Sequence, residues 1–208
     1  MAPRRTCADS NPQKPARLLI AGLGNPLMAD DGVGHAVVRG LEERELPSGV
    51  QLLAIDGDIL ALTHLWSGEP AIWLVDAMSG GLPAGTLRIF EHRELLELPA
   101  GGVSIHHLSM GESLRWMLHT LPEMAAIEFR LYGVKAGVVR TERRLSRTMD
   151  CAVTRLVDEI TIAARNWAVS SSTSLRVRKE FPIPSENGCP RTKTPLRNRT
   201  NKDWRGSF

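Results

Sequence analysis

Two adjacent carboxylates, Asp30 and Asp31, follow a glycine-rich turn that runs Gly22-Leu23-Gly24-Asn25-Pro26, and Gly32 and Gly34 come after them. A third carboxylate, Asp76, directly follows the apolar run 71–75, and His106 and His107 stand together further on. Small residues beside a carboxylate let a cation or a second backbone approach closely. Two carboxylates and one imidazole make an O,O,N ligand set, which suits nickel, zinc or manganese. Adjacent histidines cannot both face one crevice, so one of the two would serve. The plainer reading of Asp30 and Asp31 is helix capping, because negative charge suits a helix N-terminus. Asp76 also reads as a cap or turn residue. Asp56-Gly57-Asp58 reads first as a turn and second as a neighbour of the same crevice.

Other chemistries fit less well. The glycine turn opens like a dinucleotide fingerprint, but the third glycine should stand at 27, where the chain has Leu27. Pro26 removes an N–H that a phosphate would use, and the paired aspartates would repel a pyrophosphate. The HExxH of zinc endopeptidase helices and the GxSxG of serine hydrolases are absent. Cys7, Cys151 and Cys189 show no CxxC pairing, which speaks against a disulfide scaffold or a four-cysteine zinc site and fits a reducing compartment. Cys151 falls within a helical segment and is read as a core residue.

The elements that would position these residues alternate along the chain. Apolar runs at 17–22, 50–55, 71–75, 86–90 and 127–134 read as strands. Helical spacing appears over 32–44, 59–66, 108–118 and 145–167, the last with Leu145, Met149, Val153, Leu156, Ile160 and Ala164 on one face. A turn is marked by Pro83–Gly85. Strands alternating with helices predict a single-domain α/β sandwich, with a mostly parallel, about five-stranded sheet flanked by helices on both faces. Functional residues in such sheets gather beyond the carboxyl ends of strands, where Asp30, Asp31, Asp56 and Asp76 all fall.

The 208 residues divide into an arm (1–16), an α/β domain (17–168) and a tail (169–208). The arm holds three prolines and reads as disordered. The tail opens on a Ser/Thr run, carries many Arg and Lys, and reads as disordered too. The formal charge of +3 hides a contrast. Residues 171–208 hold nine basic against three acidic residues, and 1–16 hold three against one, leaving a body of net −5. A basic pI carried by tails is weak evidence for nucleic-acid binding, and no nucleic-acid partner is expected. No run approaches the roughly 18–20 apolar residues of a membrane span. Arg4-Arg5 resembles a twin-arginine export signal, but the apolar run after it is short and carries the glycine turn, so the chain reads as cytoplasmic.

Taken together, the run from Gly22 to Gly34, the Asp56-Gly57 pair after the second strand, Val75-Asp76-Ala77, and Ser104, His106 and Leu108 at alternate positions resemble the hydrogenase maturation endopeptidases. The resemblance covers roughly residues 17–165, and Leu131–Val134 and Leu145-Ser146 extend it. It implies a cytoplasmic, monomeric protease that removes a C-terminal peptide from the precursor of the [NiFe] hydrogenase large subunit. It further implies that Asp31, Asp76 and His106 are both metal ligands and catalytic residues. The metal would be nickel, supplied by the bound precursor. Metal-dependent and aspartic-type cleavage both stay open. Neither the arm nor the tail belongs to the resemblance.

Two other functions compete. Gly22-Leu23-Gly24-Asn25-Pro26, with His35 ten residues after Asn25, resembles the opening of bacterial peptidyl-tRNA hydrolases. That family follows its histidine with Asn, where this chain has Ala36, and an acidic body suits tRNA poorly. The other is a non-catalytic nickel-binding assembly chaperone that uses the same three ligands without cutting.

Overall fold

The computed structural model describes residues 5–7, 18–98 and 109–177, with side chains over 18–98 and 109–171. Within these the chain runs β1 (Arg5–Cys7), β2 (Leu18–Gly24), α1 (Val33–Glu42), β3 (Val50–Asp56), α2 (Leu62–Leu65), β4 (Ala71–Met78), β5 (Leu87–Glu91), α3 (His92–Glu97), α4 (Met110–Thr120), β6 (Glu128–Lys135) and α5 (Arg147–Val177). Short 3-10 turns occupy Ala29–Gly32, Ile59–Ala61 and Pro122–Ala126. His106 and His107 lie outside the described residues, as do most of the arm and the tail beyond 177.

One sheet has the order β1-β3-β2-β4-β6-β5. β3, β2, β4 and β6 are parallel, while β1 and β5 run antiparallel at the two edges. β2 and β4 are buried along their whole length, which is why they read as unbroken apolar runs. Alternate residues feed two cores. Leu18, Ile20, Trp73, Val75, Tyr132 and Val134 pack under α1 and α5. Leu19, Ala21, Ile72, Leu74, Phe129 and Leu131 pack under α2, α3 and α4. The expected α/β sandwich, with helices on both faces, is the fold observed.

The chain leaves β2 through α1 to reach β3 on one side, then crosses back through α2 to β4 on the other. The connections therefore diverge at the carboxyl ends of β2 and β4, which makes that crevice the topological switch point of the sheet. α1 is seated there by glycine. A Cβ on Gly34 would lie 2.3 Å from Leu23 O and 2.7 Å from Val75 O, and one on Gly22 would lie 2.1 Å from Gly34 O. No side chain fits between the first turn of α1 and these two strands.

Four local features differ from the sequence expectations. β1 forms within the arm expected to be disordered and pairs with β3, so the described sheet has six strands where about five were expected. α3 begins with a capping box in which Glu91, rather than Ser or Thr, stands at the N-cap. α5 continues through the Ser/Thr run to Val177. Cys151, expected in the core, is exposed. The buried stripe of α5 is Met149, Leu156, Val157, Ile160 and Ala164, and Cys151 stands about half a turn of helix from it.

Candidate active site

The turn after β2 builds the site. Gly24 leaves the strand at φ +116°, and a Cβ there would lie 2.0 Å from Asp31 O. Asn25 Oδ1 accepts from Leu27 N at 2.9 Å, and Met28 N donates to Asn25 O at 3.0 Å. Ala29 then takes φ +48°, a left-handed conformation that costs a non-glycine residue about 1 kcal/mol or more. A second loop holds it. Ala29 N donates to Glu142 O, Glu142 N to Leu27 O, and Asp30 N to Val138 O. The strained turn is thus zipped along the segment between β6 and α5.

The two adjacent aspartates have different surroundings. Asp30 is fully buried and saturated. Its Oδ2 accepts from Gly137 N at 2.9 Å, Val138 N at 2.8 Å and the Ser146 hydroxyl at 3.0 Å, and its Oδ1 accepts from Ser146 N at 2.7 Å. Burial pushes the Asp30 pKa up. The hydrogen bonds from Ser146, Val138 and Gly137 together outweigh it and hold the carboxyl below its ordinary value. Ser146 in turn caps α5, its Oγ accepting from Met149 N at 3.3 Å and its carbonyl from Asp150 N at 2.9 Å. Asp30 is therefore a clamp that ties three segments together.

Asp31 is 4% exposed, and its Oδ2 accepts from Asn25 N at 2.9 Å. Its Oδ1 is buried with no hydrogen-bond partner among the described residues. A buried carboxylate oxygen left without a donor costs folding free energy, and groups of that kind gather where a ligand completes them. Asp76 is 2% exposed near the end of β4, with Oδ1 accepting from Ala77 N at 2.8 Å. It shares strand parity with Ile72, Leu74 and Met78, which face the α4 side. Asp31, on the turn after β2, and Asp76, near the end of the adjacent parallel strand β4, are thus both buried at the switch-point end of the sheet.

The remaining candidates separate from this pair. Asp58 caps the turn at Ile59–Ala61, accepting from Leu60 N at 2.8 Å, which is the turn reading. Gly57 exchanges both backbone hydrogen bonds with Gly24 and ties the end of β3 to the site turn. Asp56 is largely exposed and lies 3.3 Å from His35 Nε2. His35 Nε2 also lies 3.1 Å from Ile55 O, so this ring fastens α1 to β3. His106 falls in the segment ahead of Ser109, the N-cap of α4, outside the described residues. Among the described residues no group of three or more His, Cys, Asp and Glu side chains could hold a metal.

Sequence reasoning named Asp30 and Asp31 together but missed Ser146, Gly137 and Val138 as partners of Asp30. Two of the three act through backbone N–H, which carries no residue-type signal. Ser146 had one, a serine directly before a long helical pattern.

No family model matches the chain. Individual relatives do. A protein of Methanocaldococcus jannaschii named as a hydrogenase maturation protease is 27% identical over 150 residues, covering 69% of this chain and 96% of that protein. The hydrogenase 2 maturation protease of Escherichia coli K12 is 26% identical over 161 residues, covering 74% of this chain and 94% of its own length. The [NiFe] hydrogenase maturation protease HybD of Thermococcus kodakarensis superposes with a TM-score of 0.60 at 25% identity, over 71% of this chain and 99% of HybD. The match spans nearly the full length of each of these proteases. In sequence and in fold this chain is similar to the hydrogenase maturation proteases.

Proposed function

We propose that this protease removes a C-terminal peptide from the precursor of a [NiFe] hydrogenase large subunit after nickel has been placed in it. The observation that carries the reading is the buried Oδ1 of Asp31, without a partner among the described residues, on the turn after β2, with Asp76 buried near the end of the neighbouring strand β4. Nickel here belongs to the substrate. Asp31, Asp76 and His106 supply an O,O,N set, which is weak alone and gains affinity when the precursor contributes thiolates. Such a site recognises loaded precursor and passes over the empty form, so cleavage follows insertion. Asp31 and Asp76 orient the bound segment, and a carboxylate at this position can take a proton from the attacking water. That water attacks the scissile carbonyl, and the proton passes to the leaving amine. Burial of both carboxylates strengthens their interaction with a cation relative to water.

Among the described residues no helix is long and apolar enough to cross a membrane. A monomer working in the cytoplasm, where the precursor is made, fits this reading.

The test is substitution. Asp31→Asn, Asp76→Asn and His106→Ala are each expected to keep the far-ultraviolet circular dichroism of the parent and to lower processing of nickel-loaded precursor by at least about 100-fold. Full cleavage by all three variants would overturn the assignment.

A further inference from the structure

Arg140, Arg143, Arg144, Arg147 and Arg155 gather on the segment leading into α5 and on its first turns, and all five are exposed. Arg140 is held by Glu142 at 2.7 Å. The other four have no ion pair among the described residues. The body that carries them has a net charge of −5, so this concentration of cations is local. It does not serve the helix. Positive charge opposes the dipole at a helix N-terminus, and the anion needed there is already supplied by buried Asp30 through Ser146.

Two of these cations, Arg147 and Arg155, line one elongated depression. Arg147, Cys151 and Arg155 follow one another at a spacing of four and share a helix face. With Ala84 and Gly85 across from them they border a trough of about 400 Å³. It runs on, past the shared Ala152 and Arg155, into a second of about 490 Å³ that reaches Leu87 and Glu159. Arg140 and Arg144 border a separate small hollow with Ala29, Glu142 and Ser146. Ser146 holds Asp30 and immediately precedes Arg147, so the trough begins one residue from the clamp on the active-site turn and leads away from it along α5.

We propose that this trough docks an extended, acidic segment of the protein substrate and thereby directs the substrate's C-terminal region to Asp31 and Asp76. The proposal rests on the protease reading above. The occupant follows from the charge of Arg147 and Arg155 along an elongated depression and from its start beside Ser146, which holds the active-site turn. An acidic body makes a polynucleotide the poorer fit. Exposed ion pairs contribute little singly, but a row of them speeds encounter and lowers KM in a salt-dependent way.

The test compares the full chain with Arg144→Ala/Arg147→Ala/Arg155→Ala, and with the corresponding triple lysine variant. The probes are a fluorescein-labelled peptide of alternating Asp and Gly, its Asn counterpart, and a single-stranded RNA of equal charge. The basic tail is common to all variants, so differences between them isolate the strip. The acidic peptide is expected to bind the parent and the lysine variant, and to bind the alanine variant about tenfold more weakly. It is also expected to slow alkylation of Cys151, read by peptide mass mapping. With loaded precursor, KM should rise about tenfold in the alanine variant with kcat unchanged, and the difference should vanish at high salt. Equal peptide affinity for parent and alanine variant, unprotected Cys151, or tighter binding of the RNA would each overturn the proposal. Peptide binding with Cys151 protection, in a parent that leaves the precursor uncut, would sustain the docking surface and overturn the protease reading instead.

Discussion

Adjacent aspartates with the same side chain do opposite work. Asp30 has its oxygens saturated and belongs to the architecture, whereas Asp31 keeps one buried oxygen without a donor among the described residues. Their variants should diverge. Asp30→Asn turns an amide N–H₂ toward donors that need an acceptor, and should cost about 1–3 kcal/mol of stability at pH 7, read by urea denaturation. The linked pH dependence has a definite sign. The folded-state pKa of Asp30 is depressed below the ordinary 3.8. Its contribution is therefore fully present above that value and is lost as pH falls through the lower folded value. The parent should lose stability more steeply than Asp30→Asn below about pH 4, and parallel curves would refute the clamp. Asp31→Asn removes a buried, half-satisfied charge. It should leave Tm unchanged or raised by a few degrees while abolishing processing, the trade expected where a fold carries a cost for its site.

The elements hold this pair in place through contacts that leave no room for a side chain. Gly34→Ala would force a methyl to 2.3 Å from Leu23 O and push α1 off β2 and β4. We expect a loss of more than about 2 kcal/mol of stability, with processing lost as well because the turn bearing Asp31 moves with α1. A soluble, fully active Gly34→Ala protein would contradict the packing described. Much of this level was legible beforehand. The buried strands announced themselves as unbroken apolar runs, and the glycines flanking the acidic turn marked a close approach. α3 was not legible, because a glutamate N-cap lacks the Ser/Thr signature. The end of α5 was missed because a serine run reads as a breaker in isolation. Cys151 was misplaced by residue type, since the phase of α5 already put it opposite Met149 and Ile160. The division of labour between Asp30 and Asp31 depended on backbone donors over a hundred residues away, at Gly137, Val138 and Ser146, which no local pattern encodes.

For the molecule as a whole, the switch-point crevice, the clamp on α5 and the basic strip converge on one end of the sheet. On the function proposed above, cleavage is coupled to the state of a large partner, because the partner would supply the metal that completes a weak ligand set. The most direct test incubates the purified protein with nickel-loaded and nickel-free precursor of a [NiFe] hydrogenase large subunit from the same source, and reads the C-terminal mass of each. The account predicts loss of a C-terminal peptide from the loaded precursor alone. Equal cleavage of both forms would contradict the nickel checkpoint, and an intact loaded precursor after stoichiometric incubation would contradict the protease itself and favour a binding-only role.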